Sequence, residues 1–345
     1  MSGQDQFQEL VRDTHDSGIG YVPYFGFQIS EKAPEFALYY PHVGPGGTEQ
    51  PYIAPNTTPA KSYSVCYGSI WGDHWLRGLA RFVRDYPVDG IYMDGTLCPG
   101  ACTNASHGHK LRDSRGRVVP YFTTREMRRF ALLLHATTRG QRPGMLWDLH
   151  SSGQLLGVSM SLVDVEWNGE QVWRYDPQWK VPLDVYRAQF NGRLYGMPIQ
   201  YLTNQAHEYY QRDLGVTLLF DALLRPMEGL GLWQQDTFRL WRLFDEYELR
   251  GEYFTPFYAA DARYRDASGQ GLVSHYETPR RTVLVVSNYQ GTSPVNASLD
   301  FACTPLATAT FARDIRTGEE LPIHDSVLKV ALPAEGYRML SVEPR

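Results

Sequence analysis

Apolar residues recur along this chain in two rhythms. Up to about residue 252, helical spacing alternates with short, wholly apolar runs; beyond it only the period of two persists. Gln6 to Asp16 places Phe7, Leu10 and Val11 on one helical face. The run Gly18 to Phe25 then reads as a buried strand. Residues 28 to 62 are rich in Pro, Gly, Thr and Tyr, and Tyr63 to Tyr67 reads as a short strand. A helix over Gly72–Tyr86 precedes the strand 88–94, and residues 96 to 121 are a long polar loop. Thr123 to Arg139 is an amphipathic helix with Met127, Phe130, Leu133 and Leu134 on its apolar face. Strands follow at Met145–His150, Leu162–Glu166 and Met197–Thr203, with a helix over Pro182–Phe190 between the last two. Gly215 to Leu224 fits a strand or a buried helix equally well, and Asp236 to Leu249 is a helix.

Alternating helices and buried strands make an α/β fold with a parallel sheet. The expectation is a (β/α)₈ TIM-type barrel over residues 1–252. The parallel-type strands number fewer than the eight of a closed barrel. Because the chain also opens on a helix, the barrel is expected to be N-terminally incomplete. After residue 253 the runs His275-Tyr, Thr282–Asn288 and Val327–Leu332 are separated by turn signals such as Ser268-Gly-Gln-Gly. Residues 253–345 are therefore expected to form a small C-terminal β-sandwich.

Composition narrows the function. A net charge of −5 lacks the basic surface that nucleic-acid binding needs. No apolar run is long enough to span a membrane. The first residues lack the apolar centre of a signal peptide, which leaves localisation open if the natural start lies upstream. No phosphate-binding glycine loop, nucleophile elbow or His-Glu-x-x-His motif occurs. Aromatic side chains are abundant, with 8 Trp and 23 Tyr, and such faces stack on sugar rings as well as filling cores.

The chemistry sits at the strand ends. Gly90-Ile-Tyr-Met-Asp94-Gly is a buried strand ending in a carboxylate, and barrel active sites lie at such C-terminal ends. Asp148 and His150 close the next strand, and Glu166 and Glu170 flank Trp167-Asn168-Gly. Glycoside cleavage needs two carboxyl groups astride the bond. The expected pair is Asp94, as nucleophile or charge stabiliser, and Glu170, as acid/base, with Glu166 as the substitute for Glu170. Asp164 is placed on the same strand face as Glu166 but deeper. His150, Asp148, Trp147, Trp167, Asn168, Tyr92 and His107 are the expected carbohydrate-binding residues. No cofactor is required. Cys98 and Cys102 flank Pro-Gly-Ala, with His107 and His109 close behind. Two thiols and two imidazoles can hold zinc, but the spacing departs from standard zinc patterns. Free thiols are expected, with a loop disulfide or a metal as alternatives. A binding protein on a decayed glycosidase barrel is the alternative function.

The runs Gly90–Thr96, Cys102-Thr-Asn-Ala-Ser-His-Gly-His109, Glu166-Trp-Asn-Gly-Glu-Gln171 and Pro182–Phe190, with Gly196-Met-Pro after them, resemble glycoside hydrolase family 123-like proteins. The resemblance covers roughly residues 10 to 345. It implies an N-terminal β-sandwich, a (β/α)₈ catalytic barrel and a C-terminal β domain, of which the first has no counterpart in this sequence. Characterised relatives use an adjacent Asp-Glu pair and the substrate's acetamido group. Here Gly95 follows Asp94, so that mechanism does not carry over. The likeness is to the uncharacterised branch, where the strand Asp and the Glu of Trp-Asn-Gly-Glu form the pair.

Overall fold

The computed structural model describes residues 3–46, 52–53, 60–109, 111–151, 156–169, 180–201, 209–224 and 232–344. The chain divides into two units, Met1–Glu166 and Trp167–Arg345.

In the first unit, helix α1 (Gly3–Asp16) leads to strand β1 (Tyr24–Gly26). Helix α2 (Trp71–Asp85) precedes β2 (Gly90–Asp94), and α3 (Thr124–Gln141) precedes β3 (Leu146–His150). Strand β4 (Val165–Asn168) begins at the end of this unit. The strands lie in the order β1-β2-β3-β4. β1 and β3 each run parallel to β2, with Tyr24 beside Tyr92 and Asp94 beside His150.

Both helices end for the same local reason. The caps Tyr86 and Arg142 adopt extended backbone just before Pro87 and Pro143, because a proline pushes the preceding residue out of helical conformation. Leu76, Leu79 and Val83 of α2 and Met127, Phe130 and Leu134 of α3 face one core together with Ile91 and Met93 of β2. Successive strand side chains point to opposite faces. With Ile91 and Met93 turned toward the helices, Tyr92 and Asp94 must point to the other side.

The expected loop 28–62 holds more structure than a plain connection. Helix Phe36–Val43 lies within it, and Ile29–Ser30 pairs antiparallel with Lys61–Tyr63. The loop after Asp94 is closed by a two-stranded ribbon, Ala101–Cys102 with Tyr121–Phe122.

In the second unit, helix α4 (Leu183–Gln189) is followed by β5 (Met197–Tyr201), which runs parallel to β6 (Leu223–Leu224). Between these strands α5 (Tyr210–Leu219) settles the ambiguity at Gly215–Leu224 in favour of a buried helix that ends at Leu219. Helix α6 (Leu232–Glu246) follows.

From Phe254 onward the strands are β7 (Phe254–Thr255), β8 (Leu272–Glu277), β9 (Thr282–Ser287), β10 (Val295–Asp300), β11 (Phe311–Asp314), β12 (Glu320–His324), β13 (Val327–Leu332) and β14 (Tyr337–Val342). They make one antiparallel sheet in the order β7-β8-β9-β14-β11-β12-β13-β10. The sheet folds back on itself, so that Leu284, Val286, Leu340 and Val342 meet Leu299, Leu328 and Val330 across a single core. The opposite face of β9, Val283 and Val285, packs with Leu214, Leu218 and Phe220 in a second core. This explains two textures in the sequence. β9 is buried at all of its positions and reads Thr-Val-Leu-Val-Val-Ser, whereas β13 alternates buried and exposed along Val-Leu-Lys-Val-Ala-Leu.

Candidate active site

Asp94 ends β2, and the chain turns away at once. Gly95 has φ +58, a left-handed conformation that costs any residue with a Cβ. Thr96 Oγ1 donates to the Asp94 carbonyl at 3.1 Å and fixes the turn. The parallel ladders then gather side chains on one face. Tyr24 from β1 donates its hydroxyl to Asp94 Oδ2 at 2.9 Å. His150 Nδ1 from β3 lies 3.3 Å from Asp94 Oδ1. Tyr92 packs between them, its ring 5.5 Å from Tyr24 and 6.1 Å from His150, nearly parallel to the latter.

The Asp94 side chain keeps about a third of its surface exposed, whereas His150 is buried. Burial acts to raise the Asp94 pKa. Hydrogen bonding and charge from His150, with the Tyr24 hydroxyl and the Gly95 N–H, outweigh it and hold the carboxyl below its ordinary value.

Glu166 has the opposite environment. It has 0% exposure, and Ser151, the residue after β3, donates a short hydrogen bond to its Oε1. Its Oε2 has no hydrogen-bond partner among the described residues. Burial pushes this carboxyl up to about 7, against the opposing effect of Ser151. Near neutral pH, Asp94 is therefore an ionised acceptor and Glu166 a carboxyl poised to hold a proton. A carboxyl raised by burial beside one lowered by its hydrogen bonds is how a single fold separates acid from base.

The other expected residues fall in different places. Asp148 sits beside Tyr92 in register and is buried. Trp147 is corrected: it is wholly buried, and its Nε1 donates to Thr138 on α3. It follows the outward side of β3, opposite to Asp148 and His150, and is core. Asp164 also departs from expectation. It precedes β4, pairs with Arg139 of α3 and accepts from the Trp147 N–H at 2.8 Å, so it anchors a strand start. Asn168 is corrected as well, because it has no exposed surface and donates to the Gln189 carbonyl at 3.3 Å. Trp167 is half-buried and donates from Nε1 to Gln200 Oε1. Glu170 lies outside the described residues. Sequence reasoning missed Tyr24 and Ser151. Their only signal was position, since each stands where a neighbouring strand meets a carboxylate.

His107 does not join the carboxylates. It belongs to a second cluster with Cys66, Cys102 and His109, whose ligand atoms all lie within 4.8 Å of one another. The set weighed from sequence is thus corrected in one member, with Cys66 in place of Cys98. All four cysteines are free thiols. Burial pushes the Cys66 thiol up to about 12, opposed by the Gly68 N–H and reinforced by Cys102. Burial, then the nearby Asp94 charge, raises Cys98 to about 11.

No family model matches the chain, and no curated protein matches it. Solved structures do. An α-amylase from Anoxybacillus aligns at TM-score 0.61 and 10% identity, covering 99% of this chain and 79% of the other. A GH27 β-L-arabinopyranosidase from Geobacillus stearothermophilus gives 0.60 and 11%, covering 98% and 77%. A maltogenic α-amylase from Thermotoga neapolitana gives 0.58 and 11%, covering 98% and 81%. At such identities the likeness concerns the fold. The chain has the fold of TIM-barrel glycosidases with a C-terminal antiparallel β domain.

Proposed function

We propose that this protein is a glycoside hydrolase, with residues 1–252 as its catalytic barrel and 253–345 as an accessory β domain. The observation that carries the reading is the contrast between two carboxyls: Asp94 at a strand end, held below its ordinary pKa by His150 and Tyr24, and buried Glu166 beside Ser151, pushed up to about 7. Asp94 meets the positive charge that develops on the sugar, or attacks it. Glu166 supplies the proton to the departing oxygen. The exposed Tyr24 offers an aromatic face to a sugar ring, with the buried Tyr92 packed behind it, and His150 orients Asp94. Glu170, the acid expected from the sequence and implied by the family 123-like motif, is the alternative to Glu166, and the uncharacterised branch of those proteins is the narrower assignment. The substrate class is a carbohydrate with an O-glycosidic bond.

The test is a panel of aryl glycosides and oligosaccharides with wild type and Asp94→Asn. The variant is expected to lose roughly a thousandfold or more in kcat while retaining its fold by circular dichroism. Full activity in Asp94→Asn removes the assignment. One observation favours a second reading, a non-catalytic carbohydrate-binding protein: Glu166 has no exposed surface through which to reach a substrate. Saturable oligosaccharide binding by wild type, unchanged in Asp94→Asn and without turnover in either, would establish that reading.

A further inference from the structure

Apart from the carboxylates, the first unit gathers four nitrogen and sulfur ligands from three stretches of chain. Cys66 precedes α2, Cys102 ends the ribbon strand Ala101–Cys102, His107 ends the 3₁₀ turn Ala105–His107, and His109 follows it. Cys66 Sγ lies 3.3 Å from His109 Nε2, and Cys102 Sγ lies 3.4 Å from His107 Nδ1. A tetrahedral zinc ion with ordinary Zn–S and Zn–N bonds separates its ligand atoms by about 3.4–3.8 Å. Those two edges lie at or just below that spacing, and no pair of the ligand atoms exceeds 4.8 Å. Cys66, Cys102 and His109 are buried, and His107 is half-buried.

The surroundings orient His107, His109 and Cys66 as a metal would require, while the Cys102 thiol, which donates to the Pro45 carbonyl at 3.1 Å, gives up that bond on binding. His107 Nε2 donates to the His42 carbonyl at 2.8 Å. That bond places the ring hydrogen on Nε2 and leaves the Nδ1 lone pair facing Cys102, which is how second partners fix the tautomer of a ligating histidine. The Gly68 N–H donates to Cys66 Sγ at 3.3 Å, a bond that favours thiolate. His109 is held flat against Tyr121, with ring centroids 4.3 Å apart. A Cβ at residue 68 would stand 2.5 Å from His109 Nε2, so only glycine lets the two segments approach this closely.

We propose that Cys66, Cys102, His107 and His109 form a structural site for one thiophilic divalent cation, zinc by its ligand chemistry. Four protein ligands close the coordination sphere, so the ion is structural rather than catalytic. Its place gives it a purpose. The loop that carries three of the ligands begins immediately after Asp94, and the fourth ligand precedes the helix that leads to the same strand. The ion ties both ends of the β2 environment together.

The test uses the full chain, reduced and stripped with chelator, then titrated with Co(II). The expected result is one equivalent bound, with the visible bands of tetrahedral cobalt, a thiolate-to-cobalt charge-transfer band in the near ultraviolet, and displacement by one equivalent of Zn(II). Cys66→Ser and Cys102→Ser should each lose about half of the charge-transfer intensity, one of two thiolates having gone. Cys98→Ser and Cys303→Ser should leave it unchanged. Wild type alone decides the matter if a variant fails to fold. Absence of the charge-transfer band in wild type overturns the site. So does a full-intensity spectrum in Cys66→Ser, or a Cys66–Cys102 disulfide in protein purified without reductant.

Discussion

Replacing Glu166 by glutamine isolates the electrostatics of the buried carboxyl. Glutamine preserves shape and can still accept from Ser151, but it does not titrate. The fold moves Glu166 from 4.5 to about 7, which corresponds to about 3 kcal/mol at 1.36 kcal/mol per pH unit. The sign follows from proton counting. Between these two values the folded state keeps a proton that the unfolded state has released, so stability falls as pH rises. Below about 4.5 both states are protonated and the contribution vanishes; above about 7 the whole penalty is present. The group has no exposed surface, so solvent screening does not reduce the figure. Urea denaturation of wild type and Glu166→Gln at pH 5 and pH 8 measures it. All other titrating groups cancel in the double difference. The variant should gain about 2–3 kcal/mol on wild type between the two pH values. Parallel pH dependence in the two proteins, or a variant that loses ground at pH 8, refutes the environment described for Glu166.

Tyr24→Phe removes one of the hydrogen bonds that keep Asp94 ionised. The acid limb of the kcat/KM profile should move upward by roughly half a unit, and an unmoved limb shows that Tyr24 does not act on Asp94. Ser151→Ala removes the bond that opposes the rise at Glu166. The alkaline limb should therefore move to higher pH, as read from the same profiles. Gly95→Ala should destabilise the fold by about 1–2 kcal/mol. The cause is backbone strain at φ +58, because an added Cβ meets only the end of Gln28 at an ordinary 3.6 Å. Chemical denaturation reads the loss, and a neutral result would place the turn elsewhere.

Much of this architecture could be read from residue spacing, and the failures have physical causes. Helices Trp71–Asp85 and Thr124–Gln141 lie within two residues of their expected bounds, because apolar period and a following proline agree. Asp94 and His150 end adjacent strands as expected. The error at Trp147 came from ignoring alternation, since a residue between Leu146 and Asp148 cannot share the face of Asp148. Tyr24 was illegible because its role depends on which strand lies beside β2, and a single sequence does not state lateral order. Cys66 was missed for a similar reason. It stands far upstream of Cys102, and only the fold brings it back, with the Cys66 N–H bonded to the Val43 carbonyl. Composition marks the change to pure β texture at residue 253, while packing divides the chain at residues 166 and 167, because cores follow contacts rather than texture.

Strand β9 serves two masters, and that limits how the protein can be taken apart. One of its faces closes the terminal sandwich; the other roofs the helix Tyr210–Leu219 and the aromatic group Tyr186, Phe190 and Phe220. A truncation at residue 253 would strip that roof and present a greasy, aggregation-prone surface to water. Shuffling this β module between proteins, in the laboratory or over evolution, would therefore have to carry the stretch from Trp167 along with it.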